Sequence, residues 1–291
     1  MSAQEFYNQA EKKLSNSGGF FNKVFGSGSY ALEEAADLYI QAANAFRIAK
    51  DGKSAGAAFE KAAETQQRTD SRDDAANTLV EAYKAYRQSC PEDAVRVLQQ
   101  AVQMFMLRGQ FRRAANYEMD IGGLYEHDLK QLDLATAAYE RAGNLYFDDQ
   151  AEALSNKAFI KVAEIAAMNK QYAIAIENFE RVAKQSLNSN LSKWSLKEYF
   201  VKSLLCYICE GDDISTSKAL GMYVEWDPSF ATTKEYGFFS DIIEAVKNGD
   251  EHAFADKLYE YDQFYKLDQW KVTMGLRIKE KLQANEEEDL L

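Results

Sequence analysis

One pattern constrains the fold of this chain more than any other: a small residue, a large residue four positions later, and a small residue three positions after that. The pattern recurs about every 40 residues, in two interleaved sets. A spacing of four and then three places all three residues on one face of an α-helix. Small residues let two helix axes approach closely, and the large residue fills the groove of the neighbouring helix. The first set is Ala35-Tyr39-Ala42, Ala75-Leu79-Ala82, Ala115-Met119-Gly122 and Ser155-Phe159-Val162, and the second is Ala55-Phe59-Ala62, Ala94-Leu98-Ala101, Ala135-Tyr139-Ala142 and Ala175-Phe179-Val182.

Each repeat therefore holds two helices, and such a pair can bury its apolar face only by stacking on its neighbours. Pro91 and Pro228 are the only prolines, so little interrupts a helix. The alternation of apolar and polar residues that is typical of strands is absent. We predict an all-α protein whose residues 1–200 form a tetratricopeptide-like, right-handed solenoid of antiparallel helix pairs.

The repeat fades near residue 200, where Ser195-Tyr199 is its last echo, 40 residues beyond Ser155. Of the 41 alanines, 35 lie in residues 1–200. Losing small residues removes the means of close helix packing, which predicts a C-terminal helical bundle over 201–285. Turn signals place its helices at 215–225, 232–247, 250–265 and 268–284. An acidic dileucine tail, 286–291, follows.

The net charge of −12 excludes the basic footprint of a nucleic-acid-binding protein. No apolar run approaches the ~18 residues that a membrane span needs. Three cysteines cannot all pair, which favours a reducing compartment. We therefore expect an acidic cytoplasmic protein that binds no nucleic acid.

Residues for catalysis are scarce. The chain has two histidines and no phosphate-binding GxxxxGK[ST], HExxH or nucleophile-elbow motif. Cys206-x-x-Cys209 lies on a predicted helix without a second pair, which favours two structural thiols over a metal site. The sequence predicts a binding protein, not an enzyme, without a cofactor or a metal.

The segment 17–28 is an unusual loop, because four large apolar residues stand between glycine–serine flanks. These residues are Phe20, Phe21, Val24 and Phe25. They either fold back onto the first helices or insert into a membrane interface or an apolar partner. On insertion, each would contribute about 1.5–3 kcal/mol.

Charge is graded along the repeat. Two positions after each start in the first set, and at the following 40-residue step, the residues change from acidic to basic: Asp37, Asn77, Tyr117, Lys157 and Lys197. Two positions before each start, the order is Glu33, Asp73, Arg113, Ala153 and Lys193. Like charges four residues apart on a helix repel mildly, as in Lys157 with Lys161 and Lys193 with Lys197. This pattern favours an acidic partner, although solvated lysines without a role remain an alternative.

The C-terminal third has the opposite charge. Residues 201–291 carry 19 acidic and 10 basic side chains, and the chain ends in four acids followed by Leu290 and Leu291. Such an end either attracts a basic partner or only improves solubility.

Several segments, in order and at both termini, carry a family resemblance. They are GGFFNKVFG (18–26), YALEEAADLYIQAANAFRIAK (30–50), RGQFRRAAN (108–116), ALSNKAFIKVA (153–163), WSLKEYF (194–200), LDQWKVTM (267–274) and EEEDLL (286–291). The sequence resembles the soluble NSF attachment proteins, the α-SNAP family. The resemblance implies a twisted sheet of antiparallel helices that ends in a small bundle. It also implies an adaptor that binds assembled SNARE bundles of the syntaxin, synaptobrevin and SNAP-25 type. The adaptor recruits and stimulates the AAA ATPase NSF, which takes the bundle apart in vesicle fusion and ER–Golgi transport.

The resemblance also assigns residues and a location. It implies peripheral association with membranes through the 17–28 loop, whose aromatic pair is Phe20 and Phe21. A basic SNARE-contact position of the family falls on Asn116 here, next to Arg113. Acids common in the NSF-facing patch are replaced by Lys247 and Asn248. The candidate residues are Phe20, Phe21, Val24 and Phe25 for the membrane, Arg113, Lys157, Lys161, Lys193 and Lys197 for SNAREs, and Glu244, Asp289, Leu290 and Leu291 for NSF.

An alternative function comes from the fold class alone. A tetratricopeptide-like scaffold can cradle an unrelated extended peptide in its groove. The two functions differ in partner shape, because an adaptor needs a basic face for a rod and an acidic tail for a second protein.

Overall fold

The structure, a computed structural model, describes residues 1–17, 27–69, 72–187 and 193–289, with the side chains of 16–17, 27–28, 72, 193–194 and 286–289 outside the description. This part of the chain forms fourteen α-helices and no strand. None of its helices combines the length and the apolarity needed to cross a membrane. The predicted all-α repeat architecture is confirmed. The helices group into two compact units, 1–151 and 152–291.

The first unit is a run of helices in which each packs on the next in sequence. A π-helical turn, Leu124–Asp128, extends its sixth helix. The helices are α1 (Ala3–Ser17), α2 (Ser27–Ile48), α3 (Gly52–Gln66), α4 (Arg72–Tyr86), α5 (Pro91–Leu107), α6 (Phe111–Gly123) and α7 (Leu132–Asp148).

The second unit begins with two helices of the repeat and continues into the bundle. A 3₁₀ turn, Pro228–Thr232, joins two of its helices. The helices are α8 (Glu152–Met168), α9 (Tyr172–Leu187), α10 (Lys193–Glu210), α11 (Asp213–Trp226), α12 (Lys234–Lys247), α13 (Glu251–Tyr265) and α14 (Gln269–Asp289).

The small–large–small pattern marks the buried face of each helix. Every residue of the eight triplets is buried except Met119, which is half-buried. At Gly122 the helices pack so closely that a Cβ there would lie 2.5 Å from the ring of Tyr139. The hydroxyl of Tyr139 donates to Glu126, 2.6 Å away, so the ring spans the gap between α6 and α7. The pattern therefore identified the helix-packing residues correctly.

The fifth member of the first set is different. The last echo of the repeat does not mark the buried face of α10, because Ser195 is exposed and Tyr199 is only half-buried. The buried triplet lies one residue later, at Leu196, Phe200 and Ser203, each 1% exposed. Large core residues of the bundle select the buried face here, where the repeat fades. One residue corresponds to a rotation of about 100° around a helix axis.

Short turns join successive helices through a left-handed residue. Backbone φ is between 56° and 61° at Lys50, Lys130, Gln150 and Lys170. After α8, the amides of Lys170 and Gln171 donate to Ala167 and Ala166 in this turn. A left-handed residue at this point satisfies carbonyls that the helix end leaves unpaired, and it reverses the chain within a few residues.

The bundle helices were predicted closely, but two boundaries differ. Division into compact units falls between residues 151 and 152, whereas the predicted domain boundary lies at 200. A single core explains this difference, because it runs from Ala163 of α8 through Phe179 and Phe200 to Leu282 of α14. The final helix ends at Asp289, five residues beyond its predicted end, so most of the acidic tail is helical.

The last helix closes the second unit by capping earlier helices. The indole nitrogen of Trp270 donates to the Glu164 carbonyl, 3.1 Å away. Arg277 donates to the Ala167 and Met168 carbonyls, both at 2.7 Å. The Ala167 and Met168 carbonyls lie in the last turn of α8, where the helix itself supplies no donor. The helix that leads into the tail is thereby fixed to the helix that carries Lys157 and Lys161.

Candidate functional site

The clearest basic positions are on α8. Lys157 is exposed, and no acidic side chain in the described part of the chain pairs with it. Lys161, one turn further along, is half-buried and has a partner of its own. The two ammonium groups follow one side of α8 at the predicted spacing. An exposed lysine such as Lys157 offers three donors and a full charge to an acidic partner.

Arg113 on α6 is exposed but held in place. Its guanidinium donates to the side-chain oxygens of Asn77, at 2.8 Å, and Gln110, at 3.0 Å. The guanidinium carbon lies 4.2 Å from the centroid of the Phe105 ring. These partners are neutral, so they orient the group without compensating its charge. The neighbouring Arg112, by contrast, pairs with Asp149 at 2.6 Å.

Lys197 on α10 has a different environment from Lys157. Its ammonium pairs with Glu235 of α12, whose side chain is 5% exposed, and lies 5.5 Å from the centroid of the Tyr265 ring. The hydroxyl of Tyr265 donates to the other carboxylate oxygen, 3.1 Å away. The hydrogen bond to Glu235 raises the pKa of Lys197, while burial and the same carboxylate raise the pKa of Tyr265. Lys197 is therefore part of a three-residue contact between helices.

The NSF-facing candidates are only partly described. Glu244 is exposed on α12, as are Lys247 and Asn248 at its end. Asp241 on the same helix is exposed and pairs with Lys257 at 3.2 Å. Near this end of the bundle the surface thus carries both signs of charge.

Several candidates lie outside the described residues. Phe20, Phe21, Val24 and Phe25 fall in the segment 18–26, and Leu290 and Leu291 follow the last described residue. The backbones of Lys193 and Asp289 are helical, but their side chains are not described. Their proposed contacts therefore remain sequence predictions.

The cysteine pair has the character of structural thiols. Cys206 is buried, which raises the pKa of its thiol, and burial raises the pKa of Cys209 to about 11. The Cys209 thiol donates to the Met274 carbonyl, 3.7 Å away, in the core between α10 and α14. Thiols with raised pKa values are poor nucleophiles near neutral pH. Among the described residues, no group of three His, Cys, Asp or Glu side chains is placed to hold a metal ion.

Glu235 and Tyr265 are two site residues that the sequence does not predict. Glu235 lies in the first turn of α12, where an acidic residue is ordinarily explained by the helix dipole. Nothing in the local sequence indicates that it is buried or that it faces a lysine 38 positions earlier. Only the packing of α10 against α12 reveals the pair.

The fold and these positions define a helical-repeat protein with separate basic and acidic positions. Its relatives identify the family. Residues 1–283 match the family model described as "Soluble NSF attachment protein, SNAP". A probable vesicular-fusion protein sec17 homolog of Schizosaccharomyces pombe is 48% identical over 280 residues, covering 96% of each chain. The alpha-soluble NSF attachment protein of Saccharomyces cerevisiae is 42% identical, covering 99% of this chain and 98% of that protein. The human alpha-soluble NSF attachment protein is 36% identical, covering 96% and 94%.

The chain belongs to the soluble NSF attachment protein family. The family expected from the sequence segments is thereby confirmed.

Proposed function

We propose that this chain is an adaptor that binds assembled SNARE bundles and attaches the ATPase NSF to them for disassembly in vesicle fusion. The observation that carries the proposal is the family match over residues 1–283, together with relatives named vesicular-fusion or NSF attachment proteins over nearly their whole length. In this role the ATP chemistry belongs to NSF, and the chain supplies binding surfaces.

The basic residues support one half of this role. Arg113 and Lys157 present cationic groups that no carboxylate compensates within the described residues, and they suit an acidic helical rod. Contacts of this kind mainly orient and accelerate an encounter, and salt screens them. The other half of the role falls to Glu244 and to the tail with Asp289, Leu290 and Leu291, which would engage NSF.

A reconstitution tests the proposal as a whole. The full chain is mixed with a purified SNARE four-helix bundle, with and without NSF and ATP. We expect capture of the bundle by the chain alone, capture of NSF only when the chain is present, and release of the SNAREs after ATP addition. Capture of an extended peptide but not of the bundle would instead favour the peptide scaffold.

Replacing Lys157 with glutamate is expected to weaken binding of the SNARE bundle about five-fold at physiological salt. The change turns an attraction of roughly 0.2–1 kcal/mol into a repulsion of similar size. Because Lys157 is exposed on α8, the fold should be unaffected. Titration of a labelled bundle measures the affinity.

The control is Lys218→Glu, which makes the same charge change at an exposed position of α11 outside the candidate set. It should bind like the parent. Equal affinities of the Lys157 and Lys218 variants would show that net charge, and not a basic face on α8, attracts the bundle.

We further propose that the chain associates peripherally with the cytoplasmic side of membranes through the 17–28 loop. Phe20→Ser with Phe21→Ser should bind the SNARE bundle normally in solution but should not float with liposomes. Two rings at the interface would contribute about 3–6 kcal/mol of apolar burial, and losing it removes most of the membrane affinity. Tyr30→Ser is the matched control, because it removes an exposed ring outside the loop. Flotation of the double variant as strong as that of the parent would indicate that the rings pack on the protein.

A further inference from the structure

Two consecutive residues of α10 connect it to two different helices of the bundle. Lys197 pairs with Glu235 of α12, and Glu198 pairs with Lys271 of α14 at 2.6 Å. Glu235 is 4% exposed, and its two carboxylate oxygens are divided between Lys197 and the Tyr265 hydroxyl. The lysine is more open, since its side chain is 41% exposed. The buried carboxylate of Glu235 thus pairs with an ammonium group, that of Lys197, which remains accessible to a partner.

The one-residue shift of the buried face explains why Lys197 is held this way and Lys157 is not. On α8, Lys157 follows Ser155 by two positions and is exposed. On α10, the buried triplet begins at Leu196, so Lys197 follows its start by one position and turns toward α12. The two lysines are 40 residues apart in sequence, but their environments are not equivalent.

We propose that Glu235 competes with the acidic partner for Lys197 and thereby lowers the affinity of this chain for the SNARE bundle. The inference rests on the proposed function and deepens it. An acidic side chain of the SNARE bundle can pair with Lys197 only if the ion pair between Lys197 and Glu235 breaks.

Breaking that ion pair is costly for the protein. A buried carboxylate without a paired charge is strongly disfavoured, and Tyr265 would remain as its hydrogen-bond donor. Lys197 therefore contributes less to binding than an unpaired lysine would. Tyr265 ends α13, so the carboxylate of Glu235 links Lys197 to two helices of the bundle, α12 and α13.

The test removes the charge of Glu235 and keeps its shape. Glu235→Gln, in the full chain, should bind a soluble SNARE four-helix bundle about five-fold more tightly. Adding Lys197→Met should abolish this gain, because the competitor then has nothing to release. The control is Glu251→Gln, which neutralises another buried glutamate of the same unit, one that pairs with Lys279 at 2.9 Å. It should leave SNARE binding unchanged.

A second measurement needs no partner. Because the hydrogen bond to Glu235 raises the pKa of Lys197, Glu235→Gln should increase the neutral amine fraction at pH 8. Lys197 should then react several-fold faster with an acylating reagent, as followed by peptide mass spectrometry. Labelling of Lys279 in the same Glu235→Gln sample serves as an internal reference. Thermal unfolding checks that Glu235→Gln and Glu251→Gln are folded.

The outcomes separate the two proposals. Faster labelling of Lys197 with tighter SNARE binding supports the competition. Unchanged labelling would overturn it, because the pair would not exist in solution, and faster labelling without tighter binding would overturn it as well. If Lys157→Glu and Lys197→Met both bind like the parent, these lysines are not the SNARE-binding surface, whereas failure to capture the bundle at all would overturn the SNARE-binding role. The competition fails with it, although the labelling still reports the internal pair.

Discussion

Replacing Arg277 with methionine is expected to lower the free energy of unfolding of the second unit by about 2–3 kcal/mol. The guanidinium of Arg277 donates to two carbonyls at the end of α8 and to the Tyr172 hydroxyl, at 3.3 Å. Hydrogen bonds from a charged donor contribute about 1.5–3 kcal/mol each. Their loss removes the arginine donor from the Met168 carbonyl and leaves the Ala167 carbonyl with only the amide of Lys170. Chemical denaturation followed by circular dichroism measures the change.

Two companion variants make this test specific. Arg277→Lys should recover only part of the loss, because one ammonium cannot reproduce the two-pronged geometry of a guanidinium. Lys281→Met should cost much less, since Lys281 makes a single exposed bond of 3.2 Å to the Glu210 carbonyl. Equal destabilisation by the Arg277 and Lys281 methionine variants would contradict the capping role of Arg277.

Replacing Leu290 and Leu291 with alanine is expected to reduce stimulation of the NSF ATPase at least ten-fold while leaving SNARE binding intact. The proposed reason is that the two leucines enter an apolar pocket of NSF, each contributing about 1.5–3 kcal/mol on burial. The acids before them mainly accelerate the encounter. Measuring the ATPase rate against variant concentration, in the presence of the SNARE bundle, separates weaker binding from lost activation.

The control for the tail is Leu276→Ala, which removes a leucine side chain that is 54% exposed on α14. It should stimulate NSF like the parent. Full stimulation by the tail variant at saturating concentration would show that the leucines have no part in activation. A similar loss in both variants would place the effect on α14 and not on the tail.

Most of the architecture could be predicted, because helical packing leaves a local signature. The positions of Ala35, Tyr39 and Ala42 repeat at one face of successive helices, and burial follows that face in all eight triplets apart from Met119. Helix ends were also readable where a residue has a local role. Asp250, for example, accepts a hydrogen bond from the Ala253 amide at the start of α13.

The candidate site was predictable in part for the same reason. Exposure of Lys157 follows from its place opposite the buried face of α8, so periodicity alone indicates it. For Lys197 the same periodicity failed, because bulky residues such as Phe200 and Tyr223, whose rings stack 4.5 Å apart, set the rotation of α10. Which side chains of different helices pack together cannot be read from the spacing of a repeat.

By itself, then, the sequence determined the all-α class, the 40-residue helix pairs and the family, since each depends on local periodicity or on contiguous segments. Only the tertiary structure decided that Lys197 pairs with Glu235, that Arg277 caps α8 and that one core continues from α8 to α14. The Lys197–Glu235 pair joins residues 38 positions apart, and the bond from Arg277 to Ala167 joins residues 110 positions apart. They exist because folded helices approach closely. One helix then supplies the charged groups and hydrogen-bond donors that pair with the carboxylates and carbonyls of another.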